Sequence, residues 1–267
     1  MRAEIISVGT EILLGDIIDT NSAYLSKELA LLGIDIYYKS CVGDNKERLL
    51  EAFYEGLNRS DIIITTGGLG PTDDDITKEI VCKVFDKKME LDENSLEKIQ
   101  LFFNKIGTKM TENNKKQAYF PKDAIILENK NGTAPGAILT KDKKIIIILP
   151  GPPKEMIPMF EYKVKPYLKG MNEEVLISRT LKFFGIGEST LESKIIDIIK
   201  EQINPTVAIY VSNMELRLRI TAKAENEDRA NKIIIPIIKK VKARVGEFIY
   251  AEDNIPIEEV VSKILVE

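Results

Sequence analysis

The 267-residue chain is 44% hydrophobic and 30% charged, has a formal charge of −4, and contains neither histidine nor tryptophan. This is the composition of a soluble globular protein of one large or two ordinary domains, without the basic field that would hold nucleic acid and without an apolar run near the ~18 residues of a membrane span. Lacking histidine, it has no Ser-His-Asp or Cys-His nucleophile, histidine base or His-zinc site. What remains is carboxylates, lysines, arginines, hydroxyls and backbone, a set suited to magnesium-dependent phosphate chemistry.

In chain order, MRAEIISVGT reads as a strand at 5–8, not a signal peptide, and the cytoplasm is the expected location. A helix follows at 21–32, with Asn21 as N-cap and Gly33 as stop. A strand is expected at 34–42, then a helix at 46–58 with Leu49, Leu50, Phe53 and Leu57 on one face. After a strand at 61–66, Ile76, Ile80, Val81, Val84 and Phe85 mark the inward side of another helix. Helical segments at 94–105 and 112–118 precede Pro121. Strands at 125–127, 137–139 and 145–149 and a helix at 154–168 complete the set. Cys41 and Cys82 lie in apolar-looking elements and are expected to be buried small hydrophobes.

Strands alternating with helices, among them the continuous run Ile145-Ile146-Ile147-Ile148-Leu149, predict an α/β fold with a doubly wound, mostly parallel sheet. The composition shifts at Lys169-Gly170-Met171-Asn172. Beyond it the pattern is strand 175–184, helix 189–201, strands 207–211 and 215–224, helix 227–245 with a kink at Pro236, and strand 247–250. That β-α-β-β-α-β order is a small α+β module. The expected organisation is therefore a nucleotide-handling domain at 1–169, the module at 171–251, and at 252–267 a linker with the start of an amphipathic helix.

In doubly wound sheets ligands bind beyond the carboxyl ends of strands, so the loops there are informative. Four hold residues that turns do not require: Gly9-Thr10-Glu11 with Asp16 to Asn21; Gly43-Asp44-Asn45; Gly67-Gly68-Leu69-Gly70-Pro71-Thr72-Asp73-Asp74-Asp75; and Pro150-Gly151-Pro152-Pro153-Lys154-Glu155. In the third, glycine backbone can approach a phosphate, and a helix starting near Asp75 adds its positive dipole end. Three adjacent carboxylates are more than a Thr72-x-x-Asp75 capping box needs, whereas they suit a divalent cation that in turn holds phosphate. Asp44, Glu11 and the Pro-Gly-Pro-Pro stretch, each taken alone, are ordinary turn chemistry; their shared position at strand ends raises them together.

Six motifs in order carry a resemblance: Gly9-Thr10-Glu11, Asp19-Thr20-Asn21-Ser22, Thr66 to Asp74, Asn113 to Ala118, Asn131-Gly132-Thr133-Ala134-Pro135-Gly136, and Pro150 to Met156. The first 168 or so residues resemble the molybdopterin-binding domain of molybdenum-cofactor biosynthesis proteins, and more specifically the N-terminal region of the CinA (competence/damage-inducible) family; 171–250 resembles its KH-like middle domain. The resemblance implies a homodimer and metal-dependent pyrophosphate hydrolysis with ADP-ribose as substrate. It also implies functional roles for the aspartates matching Asp44 and Asp75. The family's long form carries a nicotinamide-nucleotide amidase domain, of which only 255–267 resembles the entry, so amidase activity is not expected of this chain. Pro152 departs from the molybdenum-cofactor relatives, which more often have a polar residue there.

On this reading Mg²⁺ or another divalent cation sits among Asp44, Asp74 and Asp75 and the two phosphates, and the amides of Gly67, Gly68 and Gly70 cradle the diphosphate. Lys116 supplies charge to the leaving oxygen, while Asn21 and Gln117 bind ribose or base. Thr10, Glu11, Thr72, Gly132, Thr133, Gly136 and Gly151 complete the nucleotide contacts. Two rivals are an adenylyltransferase-like or pterin-binding role and a non-catalytic binding or dimerisation module. RNA is not expected as a partner, because the turn Gly185-Ile186-Gly187-Glu188 is acidic and wrongly spaced for a KH loop.

Overall fold

Isoleucines alternate between the two faces of a central sheet. A computed structural model describes residues 1–267 except Asn172, Glu173, Gln202, Asn213, Met214, Asn254 and Glu267. It divides into two units, Met1–Asn172 and Glu173–Glu267. The composition shift placed at 169–172 ends on Asn172, and the last predicted helix on Glu267, both outside the described residues.

The first unit runs β1 (Arg2–Val8), α1 (Thr10–Leu14), α2 (Thr20–Leu31), β2 (Asp35–Val42), α3 (Lys46–Arg59), β3 (Ile62–Thr66), α4 (Thr77–Phe85), β4 (Met89–Leu91) and α5 (Glu93–Lys105). A 3-10 segment (Glu112–Ala118), β5 (Tyr119–Pro121), β6 (Ile125–Leu127), β7 (Gly136–Lys141), β8 (Lys144–Leu149), α6 (Pro153–Met159) and α7 (Lys165–Lys169) follow. The sheet order is β2-β1-β3-β8-β7-β6. Its first four strands are mutually parallel, and β7 and β6 add antiparallel pairings at one edge. The reversal between β7 and β8 is a two-residue turn, Asp142 and Lys143, with φ of 49° and 64°. Two positive φ values in succession match the twist of the flanking strands.

Ile5, Ile62, Ile64, Ile145 and Ile147 face Leu25 and Leu29 of α2 and the α6–α7 side chains Met156, Phe160 and Leu168. Their neighbours Ile6, Ile63, Ile146 and Ile148 face Leu49 and Phe53 of α3 and Ile80, Val81 and Phe85 of α4. Each such side chain contributes about 1.5–3 kcal/mol on burial, so a strand covered on both faces takes a polar residue near its ends or, as with Glu4, where a partner pairs it. The predicted helix at 154–168 holds Pro158 and Pro166 and is α-helical only at its two ends, with a π-helical turn at Phe160–Val164. A proline amide cannot donate to the ladder, which favours local rewinding.

Two sequence expectations change here. The N-cap of α2 is Asp19, whose side chain accepts from the Ser22 amide, and Asn21 lies inside the helix. Cys41 is exposed while Cys82 is buried, because β2 is an edge strand open on both sides for most of its length.

The second unit comprises β9 (Val175–Phe183), α8 (Glu188–Lys200), β10 (Thr206–Ser212), β11 (Glu215–Ala224), α9 (Glu227–Val245), β12 (Ile249–Glu252) and α10 (Ile257–Val266). Its strands pair antiparallel in the order β10-β11-β9-β12. One sheet face packs Leu181, Leu218 and Ile220 on Leu191, Ile195, Ile234 and Val241. This is a KH-like α+β architecture, and α9 spans the predicted 227–245 with Pro236 inside it. No described helix is long and apolar enough to cross a membrane.

Candidate active site

The parallel strands β1, β2, β3 and β8 end at Val8, Val42, Thr66 and Leu149, and the loops leaving all four border one cleft of about 750 Å³. That size suits a nucleotide-scale ligand. Of the predicted residues, Glu11, Asn21, Asp44, Gly67, Gly68, Gly70, Thr72, Asp74, Asp75, Gln117, Thr133 and Gly151 line it. Thr10, Lys116, Gly132 and Gly136 do not.

The glycine turn is shaped by contacts that no sequence window contains. Gly67 has φ 103°, and a Cβ there would lie 2.1 Å from the Val8 carbonyl oxygen. Its amide donates to the Leu149 carbonyl at 3.0 Å, so Gly67 closes the turn onto β8 and cannot cradle a phosphate as predicted. The amides of Gly68 and Gly70 have no acceptor among the described residues and keep that capacity. Gly68 has φ 66°, with its missing Cβ 2.2 Å from Thr77 Oγ1; that hydroxyl donates to the Gly67 carbonyl at 3.0 Å. Helix α4 begins at Thr77 with Ile76 as N-cap, directly after Asp75, as the sequence predicts. Asp75 turns back, its Oδ2 accepting from the Thr72 amide (3.0 Å) and hydroxyl (2.6 Å). The Thr72 hydroxyl also reaches Asp74 Oδ1, and its single proton serves one of the two acids at a time. That hydroxyl, the Asp74 backbone amide and Lys116 hold the Asp74 carboxyl below its usual range. Asp73 is exposed and outside the cleft.

On the facing loop, Asp44 Oδ2 accepts from the Thr10 amide and hydroxyl, each at 2.9 Å. Thr10 therefore positions Asp44 and does not itself border the ligand space. Among the described residues no three acidic or thiol side chains gather at metal-binding spacing, so Asp44, Asp74 and Asp75 do not form the expected three-carboxylate cage. Magnesium commonly takes one or two carboxylates and completes its shell with water and phosphate oxygens. Asp44 Oδ1 and Asp75 Oδ1 accept no hydrogen bond among the described residues, and every nearby donor is a hard oxygen. What the cleft offers a hard cation is two carboxylate oxygens without a hydrogen bond among the described residues, one on each facing loop.

Asn21 is 8% exposed. Its Nδ2 donates to the Gly151 carbonyl at 2.6 Å, which fixes the amide's orientation, and its buried Oδ1 has no partner. An unpaired buried acceptor costs about 1–3 kcal/mol, which a ligand hydroxyl or amine would offset. Asp19 and Glu155 also line the cleft; both stand in the quoted motifs, but neither is among the predicted site residues. Burial would push the Asp19 carboxyl up, but hydrogen bonds from Ser7 and Ser22 outweigh it and hold it below the usual range. The Asp-x-x-Ser spacing of a helix cap was the available signal.

Lys116 departs from its predicted role. Its Nζ donates to the Thr72 carbonyl at 2.9 Å and lies 3.3 Å from Glu79, clasping the acidic loop from outside. Gly136 is a packing position: a Cβ would meet the Ile148 carbonyl at 2.5 Å. Gly132 lies under the Glu155 carboxylate, 2.3 Å from where its Cβ would be.

Lys78, invisible as a site residue except as a lysine on the inward side of α4, is 3% exposed. Its Nζ donates to the carbonyls of Gln117 (2.8 Å) and Lys116 (3.3 Å) and lies over the Phe120 ring, holding the 3-10 segment and thereby Gln117 in place. Burial pulls its pKa down to about 7 from 10.5. The unfolded chain then binds more protons than the folded one between these values, so stability rises with pH across that window and the penalty is fully present below it. Urea unfolding at pH 7 and pH 9.5 should show the wild type gaining on Lys78→Met by up to about 1.4 kcal/mol per pH unit. Equal pH slopes in the two proteins would show that this ammonium keeps its ordinary affinity for protons.

The description "Probable molybdopterin binding domain" matches residues 4–170, and "Damage-inducible protein CinA KH domain" matches 178–251. A "Putative competence-damage inducible protein" of Clostridioides difficile (strain 630) is 61% identical over the whole chain, and one of Clostridium beijerinckii 56% identical. The chain spans 66% and 65% of the lengths of these two relatives. A solved structure of "the protein CinA with unknown function" from Thermoplasma acidophilum is 36% identical, covers 62% of this chain and 96% of its own, and superposes with a TM-score of 0.57.

Proposed function

The chain belongs to the CinA family, and on that premise we propose that its first unit hydrolyses nucleoside diphosphate compounds in a divalent-cation-dependent reaction, with ADP-ribose as the substrate of choice. One observation carries this reading: the free amides of Gly68 and Gly70 and the carboxylates of Asp44 and Asp75 border the same cleft beyond the carboxyl ends of parallel strands.

Phosphate is attracted to the glycine amides and repelled by the carboxylates, so both belong to one site only if a cation lies between acid and phosphate. Asp44 and Asp75 would hold that cation. When bound it neutralises charge developing on the phosphoryl oxygens. The chain's own residues do the rest. Gly68 and Gly70 orient the diphosphate, Asn21 Oδ1 accepts from a ribose hydroxyl or base amine, and Gln117 borders the nucleoside. Lys116 and Thr10 keep the two acidic loops in position. Water adds to one phosphorus, the bridging P–O bond breaks, and AMP and ribose 5-phosphate leave.

Asp75→Asn keeps an acceptor for Thr72 and removes the charge. The expected result is a loss of turnover on the order of 10²–10³-fold with unchanged melting temperature, followed as AMP released from ADP-ribose with Mg²⁺ or Mn²⁺. Wild-type turnover by the folded variant would take Asp75 out of the reaction. Absence of wild-type turnover across a panel of nucleoside diphosphate compounds and divalent ions would remove the hydrolase reading altogether.

A further inference from the structure

We propose that a second cleft of about 520 Å³, next to the first and opening between α5, β6 and the segment leading to β7, binds a nucleoside phosphate. One bipartite ligand then spans both clefts. The two share Thr133, and the boundary between them is built, not incidental. Glu155 of the first cleft lies against Gly132 of the second, and Asn129 Nδ2 bonds both Glu155 Oε2 (2.7 Å) and the Ala134 carbonyl (3.0 Å). Glycine at 132 is what lets that carboxylate lie flat against the backbone; a Cβ would be 2.3 Å from it.

The second cleft is cationic in a chain whose net charge is −4. Lys98, Lys105, Lys130 and Lys163 line it against only Asp92 and Glu128. Asp92 is committed to capping α5 through the Ser95 amide, and Glu128 pairs with Lys98 at 3.1 Å. Lys105, Lys130 and Lys163 form no ion pair among the described residues. Three exposed lysines without an ion pair among the described residues, against the one carboxylate of Asp92, leave the concavity net positive, which favours an anionic ligand.

Ile99, Leu101, Phe102 and Ile126 give the cleft an apolar stretch of wall, beside polar Asn94, Ser95 and Asn129. Leu101 is 58% exposed, so part of this wall faces solvent. A small inorganic anion would leave that wall unused, and an apolar ligand would strand the lysines. A nucleoside phosphate satisfies both, with its base on Phe102 and its phosphate on the lysines. A volume of about 520 Å³ is ample for a mononucleotide. That a single molecule reaches across Thr133 rests on the nucleotide reading of the first cleft; the charge and shape of the second stand independently.

Calorimetric titration with AMP tests this. The wild-type chain should take two AMP molecules, and Lys105→Glu/Lys130→Glu/Lys163→Glu should take one. Asn21→Asp should lose the other site and keep the second-cleft one. The site that survives in each variant reports that it folds, and Lys130→Glu alone, on an exposed loop, should weaken the second site at least tenfold. Diadenosine triphosphate should bind one per wild-type chain and at least tenfold more weakly to the triple variant. A single wild-type AMP site that the triple variant retains would overturn the second cleft while leaving the first intact. One site lost in the triple variant and unaffected by Asn21→Asp would support the second cleft and remove the nucleotide reading of the first. Unchanged diadenosine triphosphate affinity in the triple variant would refute the bridging ligand.

Discussion

Gly67→Ala is expected to destabilise the first unit by about 3–5 kcal/mol and to abolish nucleotide binding. Two separate costs meet at this position. The backbone has φ 103°, outside the region open to L side chains, and the added methyl would sit 2.1 Å from a backbone oxygen, Val8 O, that belongs to β1 and cannot rotate away. Relief requires β1 and β3 to separate or the turn to swing outward. Either movement displaces Gly68 and Gly70 and breaks the Gly67–Leu149 bond. Gly15→Ala separates the two costs: Gly15 has φ 80° with nothing within 4 Å of its Cβ. That variant should lose only about 1–2 kcal/mol. Denaturant unfolding of both proteins measures the difference. If Gly67→Ala were no less stable than Gly15→Ala, the contact with Val8 would not constrain the turn.

That contact joins two strands far apart in the chain, and no local sequence pattern encodes it. The isoleucine run Ile145 to Ile148 announces a strand covered on both faces, and Gly67, Gly68 and Gly70 with Asp74 and Asp75 announce a loop that borders the cleft; both are local patterns. The use of each backbone group is not local. The Gly67 amide is consumed by Leu149, 82 positions later, and the Lys116 ammonium by Thr72, 44 positions earlier. Nothing in the sequence around Lys116 separates a ligand-binding lysine from one that holds a distant carbonyl. Gly136 is singled out by the motif it shares with the family, yet it is small so that β7 can lie against Ile148 and Met159. Lys78 was hidden for the opposite reason: an ammonium on the buried side of a helix contradicts amphipathic periodicity, and only the two carbonyls at Lys116 and Gln117 explain it. The helix cap was missed by two residues because Asp19 and Asn21 are both good caps, and Ser7 on β1 decides for Asp19 by donating to it at 2.6 Å.

Arg59→Met should cost about 3–5 kcal/mol, because it strands a charge at the base of the same sheet. Glu4, in the middle of β1, is fully buried. Its oxygens accept from Arg59 Nε (2.8 Å), Arg59 Nη2 (2.7 Å) and Ser40 Oγ (2.9 Å). The guanidinium also stacks over Tyr38 at 3.8 Å. With Arg59 gone, one serine hydroxyl is left to compensate a buried carboxylate. The reverse change, Glu4→Met, is milder, since the Arg59 side chain is 34% exposed and keeps its water and its ring. In the double variant neither charge remains and the two methionine side chains fill similar volume, so most of the Arg59→Met loss should return. The pair ties α3 and the open edge strand β2 to β1, and α3 starts directly after Asp44. Arg59→Met should therefore also loosen the Asp44 loop and weaken nucleotide binding in the fraction that stays folded, and the double variant should restore it. Equal unfolding free energies for Arg59→Met and Glu4→Met would show that the cost lies in lost packing and not in the stranded carboxylate.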